Sequence, residues 1–161
     1  MSVKVIDDLL TEEEFQQVFD FAVNDKRNGW ALSVAIESKY LNDESNETPQ
    51  FVKMLYTDME LYASPDIDKL NTLFDKLNVY KLFRCKVNAV GRGDKILETG
   101  YHVDLGGLEY DNIKVAVFYL NTNDGYTAIK EYGKVESVRN RAVILDNKTL
   151  HSGTNTTDTD Y

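Results

Sequence analysis

The pattern of apolar and polar positions changes character along the chain. Val3, Val5 and Ile6, with Lys4 between them, read as a short strand. Phe15, Val18, Phe19 and Ala22 then recur at helical intervals. Thr11, with Glu14 three positions on, has the spacing of a capping box. Residues 11–24 are therefore predicted as an amphipathic helix, with Gly29 marking its exit. Residues 41–50, polar and rich in Asn and Glu, predict a surface loop. Ser64-Pro65 predicts a second helix start, a cap followed by proline at the first helical position, with Ile67, Leu70, Leu73, Phe74 and Leu77 as its apolar face. From Val79 the pattern turns to strands, predicted at 81–90, 113–120, 126–131 and 141–145. Turn signals separate them: Gly91 to Asp94, Gly106-Gly107, Asn121 to Gly125, Gly133 and Asp146-Asn147. Helices first and antiparallel strands afterwards predict an α+β fold whose strands close into a sandwich or jelly-roll barrel.

Composition narrows the class. A chain of 161 residues, 42% hydrophobic, fits one domain with a real core. No apolar run approaches the roughly 20 residues of a membrane span, and residues 1–10 lack a signal-peptide core. The expected location is cytoplasmic, without membrane attachment. The net charge of −9 argues against broad attraction to nucleic-acid backbones, so no nucleic-acid partner is expected. Aromatics are 11% of the chain and ten are tyrosine, which favours a β-rich fold with polar-tipped side chains near a pocket. Cys85, the single cysteine, sits in a predicted strand and reads as a buried, inert thiol.

The chemistry-bearing residues are few. The chain has two histidines, His102 and His151. In an extended strand residues i and i+2 project from one face, so His102 and Asp104 are expected to point together, with Tyr101 and Val103 turned away. His151 follows the apolar strand 141–145 and a short polar turn, which would bring its imidazole to the mouth of a barrel. Two imidazoles and one carboxylate on one side of a metal leave coordination positions open, as a non-haem Fe(II) oxygenase requires. A structural zinc site would close its shell with four protein ligands, and neither an obvious fourth ligand nor a CxxC pair is present. A histidine beside a carboxylate is more often a surface ion pair or a satisfied core group, and the residues alone leave both open.

Several segments together resemble the 2-oxoglutarate- and Fe(II)-dependent oxygenases, in particular their prolyl 4-hydroxylase-like branch. They are Lys86-Val87-Asn88-Ala89-Val90-Gly91-Arg92-Gly93-Asp94, Tyr101-His102-Val103-Asp104 and Val115-Ala116-Val117-Phe118-Tyr119-Leu120-Asn121. Asp124-Gly125-Tyr126-Thr127, where many members have Gly-Gly-x-Thr, and residues 140–146 followed by Leu150-His151-Ser152-Gly153 complete the set. The opening residues 5–15 resemble the family's usual first strand and helix. The resemblance implies a double-stranded β-helix (jelly roll) with supporting N-terminal helices. It implies one oxygenase domain over 1–161, with residues 81–155 as catalytic core. It implies His102, Asp104 and His151 as ligands of Fe(II), and 2-oxoglutarate as cosubstrate. Tyr119, Asn88 and Thr127 are the implied cosubstrate-binding residues, and Arg92, Tyr101 and Tyr126 are expected at the substrate channel.

Three departures from the family pattern matter. A basic residue usually lies about ten positions after the distal histidine and pairs with the distal carboxylate of 2-oxoglutarate. Here Asp158, Thr159, Asp160 and Tyr161 fill that approach, no Lys or Arg follows Lys148, and the expectation is a final strand beyond residue 161. Ala89 stands where some members place a tyrosine, which makes Asn88 the substitute; Tyr126 replaces a glycine and is expected to narrow the channel. The implied activity is hydroxylation of a C–H bond, with succinate and CO₂ as coproducts. A peptidyl proline is the first substrate expected, then a small molecule. Asp104 favours hydroxylation, because related halogenating enzymes lack that carboxylate. A non-catalytic jelly-roll binding module and a cupin-like metalloenzyme without a 2-oxo acid are the alternatives.

Overall fold

Two three-stranded sheets build the part of the molecule that carries both histidines. The structure, a computed structural model, describes residues 2–34, 49–104 and 112–160. In chain order its elements are β1 (Lys4–Ile6), α1 (Glu12–Phe19), β2 (Ala31–Val34), β3 (Pro49–Thr57), β4 (Tyr62–Ala63), α2 (Asn71–Lys76), β5 (Arg84–Val90), β6 (Lys114–Phe118), β7 (Tyr126–Ile129), β8 (Gly133–Glu136), β9 (Ala142–Asp146) and β10 (His151–Gly153). The chain divides into two compact units, one of Met1–Asp7, Val34–Pro49 and Val90–Tyr161, the other of Asp8–Ser33 and Gln50–Ala89.

In the first unit one sheet runs β1-β9-β6 and the other β10-β7-β8. All these pairings are antiparallel. In the first sheet Val5 and Val117 flank Val143, and Val115 lies opposite Leu145. Side chains two apart share a face, so these valines and Leu145 form one apolar surface. In the second sheet Ile129 and Val135 face the same way, and they meet Val143 and Leu145 in the core. Val143 and Leu145 are fully buried and Ile129 nearly so. At about 1.5–3 kcal/mol per buried aliphatic side chain, this inter-sheet layer is what holds the unit together. Residues 97–102 run beside β10 as a further rung: Thr99 N–H donates to Gly153 O at 2.9 Å, Glu98 bridges Thr154, and His102 bridges His151.

The second unit is a sheet ordered β2-β3-β4, with β5 paired to β3, plus two short helices. Thr11 caps α1 as expected. Its hydroxyl accepts from Glu14 N–H, and the Glu14 carboxylate accepts from Thr11 N–H at 2.8 Å. The predicted helix 11–24 is α-helical only to Phe19, then widens into a π turn over Asp20–Asn24. The predicted second helix begins later than Ser64-Pro65. A 3-10 turn over Ile67–Leu70 precedes α2, and the residue before it, Asp66, is left-handed at φ 60. Ser64 is occupied elsewhere, accepting from the Asn28 amide and donating to Pro65 O at 3.1 Å.

The expected order of helices first and strands afterwards is corrected: β2, β3 and β4 lie between α1 and α2. Of the predicted loop 41–50, residues 41–48 lie outside the described residues, and Pro49 and Gln50 open β3 instead. The inward positions of β3 include Lys53, which is fully buried, and Thr57, so its alternation does not read as apolar and polar. Lys53 is tolerated because its ammonium donates to Val23 O at 3.2 Å and Asp25 O at 2.9 Å, carbonyls at the end of the first helix. No helix among the described residues is long and apolar enough to cross a membrane.

Candidate metal centre

His102 and His151 come from two separate stretches of backbone, and main-chain pairing brings them together. Each N–H donates to the other's carbonyl, His102 to His151 O at 2.9 Å and His151 to His102 O at 3.0 Å. Residues paired in this way stand directly opposite and project from the same face. The ring centroids are accordingly 4.6 Å apart. Asp104 is two positions past His102, and its Oδ2 lies 3.6 Å from His151 Nε2.

A bulge adjusts this meeting. From Glu98 to His102 is four steps, whereas their partners Thr154 and His151 are three steps apart. One extra residue in the 97–102 segment re-aims the side chains that follow it, a common device beside functional sites.

His102, Asp104 and His151 each offer a ligand atom, and these atoms lie within 4.8 Å of one another. An octahedral ion with bonds of about 2.1 Å sets neighbouring ligand atoms roughly 3 Å apart. The Asp104–His151 separation of 3.6 Å is already close to that. Among the described residues no fourth histidine, cysteine or carboxylate joins the group. Both imidazoles are moored alike: His102 Nδ1 lies 3.2 Å from Gly100 O, and His151 Nδ1 lies 2.9 Å from Thr149 O. A carbonyl oxygen only accepts, so each bond puts the proton on Nδ1 and leaves Nε2 as the lone-pair donor to a metal. His151 is buried, while His102 and Asp104 are partly open. The donor set of two nitrogens and one oxygen fits Fe(II).

The other predicted site residues fall into two groups. Thr127 lies on β7 two positions before Ile129, and Ile129 is opposite His151, so Thr127 shares the ligands' face. Tyr119 reaches the same place from the first sheet, its hydroxyl donating to Thr127 Oγ1 at 2.7 Å. Thr127 is buried. Burial raises the pKa of the Tyr119 hydroxyl above its ordinary value, while the Thr127 bond and the charge of Arg141 act against the rise. Gly153, opposite Thr127 and two positions after His151, would meet nothing within 4 Å if it carried a Cβ. The ligand face thus has open space beside His151, and the Tyr119–Thr127 hydroxyl pair stands on the same face as that space. The hydroxyls and the open position fit a short polar cosubstrate.

Tyr126 and Tyr101, expected at the substrate channel, are placed differently. Tyr126 alternates with Thr127 and so projects from the opposite face of β7. There its hydroxyl donates to Glu98 Oε2 at 3.0 Å, under the Lys134 ammonium 3.8 Å from its ring centre. Tyr101 joins that cluster, its pKa raised by burial and by the Glu98 charge. Arg92 is exposed and pairs its backbone with Thr156. Asn88 is an exposed position of β5. Asn88 belongs to the second unit, and Tyr126 projects from the face of β7 opposite to that of Thr127. Sequence reasoning missed Arg141, which lies opposite Tyr119 (Tyr119 N–H donates to Arg141 O at 2.9 Å), and the vacancy at Gly153. The signal for Arg141 was present in the apolar period of 141–145, which puts it in phase with Val143 and Leu145.

No family model matches the chain, and no curated protein matches it. Among solved structures it is similar to the crystal structure of an oxidoreductase of the 2OG-Fe(II) oxygenase family from Burkholderia pseudomallei. The TM-score is 0.66 over 98% of this chain and 80% of that one, at 11% identity. That likeness is one of fold.

Proposed function

We propose that this protein is an Fe(II)- and 2-oxoglutarate-dependent oxygenase that hydroxylates a C–H bond of a peptide or small-molecule substrate. The observation that carries it is the convergence of His102, Asp104 and His151 on one face, in a fold shared with a 2OG-Fe(II) oxygenase family member. In this reading the two sheets of the first unit are the halves of a jelly roll, and the chain stands near the prolyl 4-hydroxylase-like branch.

His102, Asp104 and His151 would hold the iron, and their one-sided arrangement leaves room for cosubstrate and oxygen. When bound, iron and 2-oxoglutarate together would supply the oxidising chemistry, in which the substrate C–H, O₂ and 2-oxoglutarate become the hydroxylated substrate, succinate and CO₂, one oxygen atom going to each of the first two. The chain's own contribution is positioning. Gly100 and Thr149 carbonyls orient the two imidazoles. Gly153 leaves the space beside His151 unfilled. Tyr119 and Thr127 present hydroxyls to the far end of the cosubstrate. The apolar layer of Ile129, Val135 and Val143 behind them keeps water out.

The test is anaerobic addition of Fe(II) and then 2-oxoglutarate, watching for the weak visible charge-transfer band of the chelate. The band is expected in the natural protein and absent in His102→Ala. Metal binding without the band would refute the 2-oxoglutarate assignment and favour a cupin-like metalloenzyme. Absence of metal binding would leave a non-catalytic module.

A further inference from the structure

A dicarboxylate seated between the sheets needs a positive charge at its far end, since two neutral hydroxyls hold a carboxylate weakly compared with a guanidinium. Of the basic residues on the first unit's sheets, Arg141 is the one that the core-facing alternation points inward. It immediately precedes β9 and stands opposite Tyr119, whose N–H donates to its carbonyl, and Asn140 N–H donates to Tyr119 O. Cross-strand partners share a face, and this face is the one carrying Val143 and Leu145. The Arg141 side chain is only 18% exposed.

Two anchors fix where the guanidinium sits. Its Nη1 donates to Glu136 O at 3.2 Å. The Tyr119 hydroxyl lies 3.4 Å from Val135 O, the preceding carbonyl of β8. The cation and the hydroxyl pair are thus moored to consecutive residues of one strand. The other contacts of Arg141 go to Asp7, from Nε at 2.5 Å and Nη2 at 3.2 Å. A guanidinium has five N–H donors, and the hydrogen bonds among the described residues engage three. Asp7 is 57% exposed, so solvent screens its share of the charge. Thr127 stands diagonal to His151 across β7 and β10, a separation of about 7–8 Å. That is comparable to the reach of a five-carbon diacid chelated at the metal.

We propose that Arg141, approached from the strand that faces Tyr119, is a cation that receives the distal carboxylate of 2-oxoglutarate, with Tyr119 and Thr127 as neutral donors. The assignment rests on the oxygenase reading above. It makes Arg141 a binding residue that sets preference for dicarboxylic over monocarboxylic 2-oxo acids.

The experiment titrates 2-oxoglutarate, and separately 2-oxobutanoate, which lacks the distal carboxylate, into the anaerobic Fe(II)-loaded full chain. Mn(II) affinity, measured alone by electron paramagnetic resonance, reports the metal site. In Arg141→Gln we expect Mn(II) affinity within about twofold of the natural protein, a Kd for 2-oxoglutarate raised at least tenfold, and a Kd for 2-oxobutanoate changed less than twofold. Arg141→Lys, which keeps the charge but loses the planar fork, is expected to fall between. Asp7→Asn breaks the ion pair while keeping the cation, and is expected to bind 2-oxoglutarate at least as tightly as the natural protein. Equal losses for both acids, an unchanged Kd for 2-oxoglutarate in Arg141→Gln, or a parallel loss in Asp7→Asn would each overturn the assignment while the oxygenase reading stands. A natural protein that binds Mn(II) but never forms the chelate would overturn both.

Discussion

The Tyr119–Thr127 hydroxyl pair links the two sheets at the depth where the proposed cosubstrate ends, so its removal should be felt in stability and in binding. The hydroxyls are 2.7 Å apart, and Thr127 is 5% exposed. Tyr119→Phe deletes the donor and leaves the Thr127 hydroxyl buried with no partner shown among the described residues. An unsatisfied buried polar group costs about 1–3 kcal/mol. Thr127→Val should cost less, because the Tyr119 hydroxyl already lies 3.4 Å from Val135 O and can turn to it. A value near 1 kcal/mol, the net worth of one hydrogen bond, is expected. The double variant replaces both partners by apolar groups, so its cost should fall short of the sum of the singles by about 1 kcal/mol. Urea unfolding of the four proteins, with m unchanged, gives the cycle. Additivity within about 0.3–0.5 kcal/mol would show that the two hydroxyls do not interact, and would remove the physical basis for treating them as one donor pair.

Three further outcomes follow from other parts of the structure. Leu145→Ala, at a fully buried position of the inter-sheet core, should destabilise by about 2–5 kcal/mol, read as a lower urea midpoint; a loss under about 1 kcal/mol would mean that the core is elsewhere. Burial pushes the Cys85 thiol up to about 12, so the native protein should resist alkylation by iodoacetamide at pH 8 and react fully in urea, and rapid native labelling would contradict the placement of its sulfur. The Thr157 hydroxyl and its N–H, followed by Thr156, hold the Asp124 carboxyl at about 2, against an opposing effect of burial. A carboxyl depressed on folding adds stability that is complete above its unfolded pKa and is lost as pH falls through the folded one, so the deficit of Asp124→Asn should shrink between pH 4 and pH 2; a deficit constant across that range would refute the linkage.

Much of this was legible in the sequence where a short rule applied. The capping box at Thr11 and Glu14, and the strand periods behind β6, β7 and β9, depend on neighbours in the chain, and the structure has them close to the predicted positions. What was hidden depends on partners far away. Lys53 lies in the buried face of a strand because two helix-end carbonyls receive its ammonium, and nothing in residues 49–57 announces those carbonyls. Strand β8 has one buried apolar residue, Val135, among Gly133, Lys134 and Glu136, so its period is too short to register. The outward turn of Tyr126 was available from its alternation with Thr127, once the face of Thr127 was known from the pairing of Ile129 with His151.

The candidate centre is a case where sequence gives the residue types and only pairing gives the site. The spacing of His102-x-Asp104 predicts two donors on one face. His151 is 49 positions after His102, and no local rule brings it back. The reciprocal backbone pair between the two histidines does so, and it does more than bring them near. Directly opposed residues share a face, so registering one backbone rung also aims two imidazoles at one point. The bulge between Thr99 and His102 then becomes a requirement. Thr99 is paired with Gly153, and if the same residues paired without a bulge, position 101 would stand opposite His151, presenting Tyr101 where His102 is needed and turning both donors of the His-x-Asp pair to the far side. Deleting one residue from the 99–101 stretch removes the bulge and leaves His102 opposite His151 in a regular ladder, so Mn(II) binding should survive it. Loss of Mn(II) affinity in such a deletion, with the fold intact, would show that the ligand face is set by something other than this register.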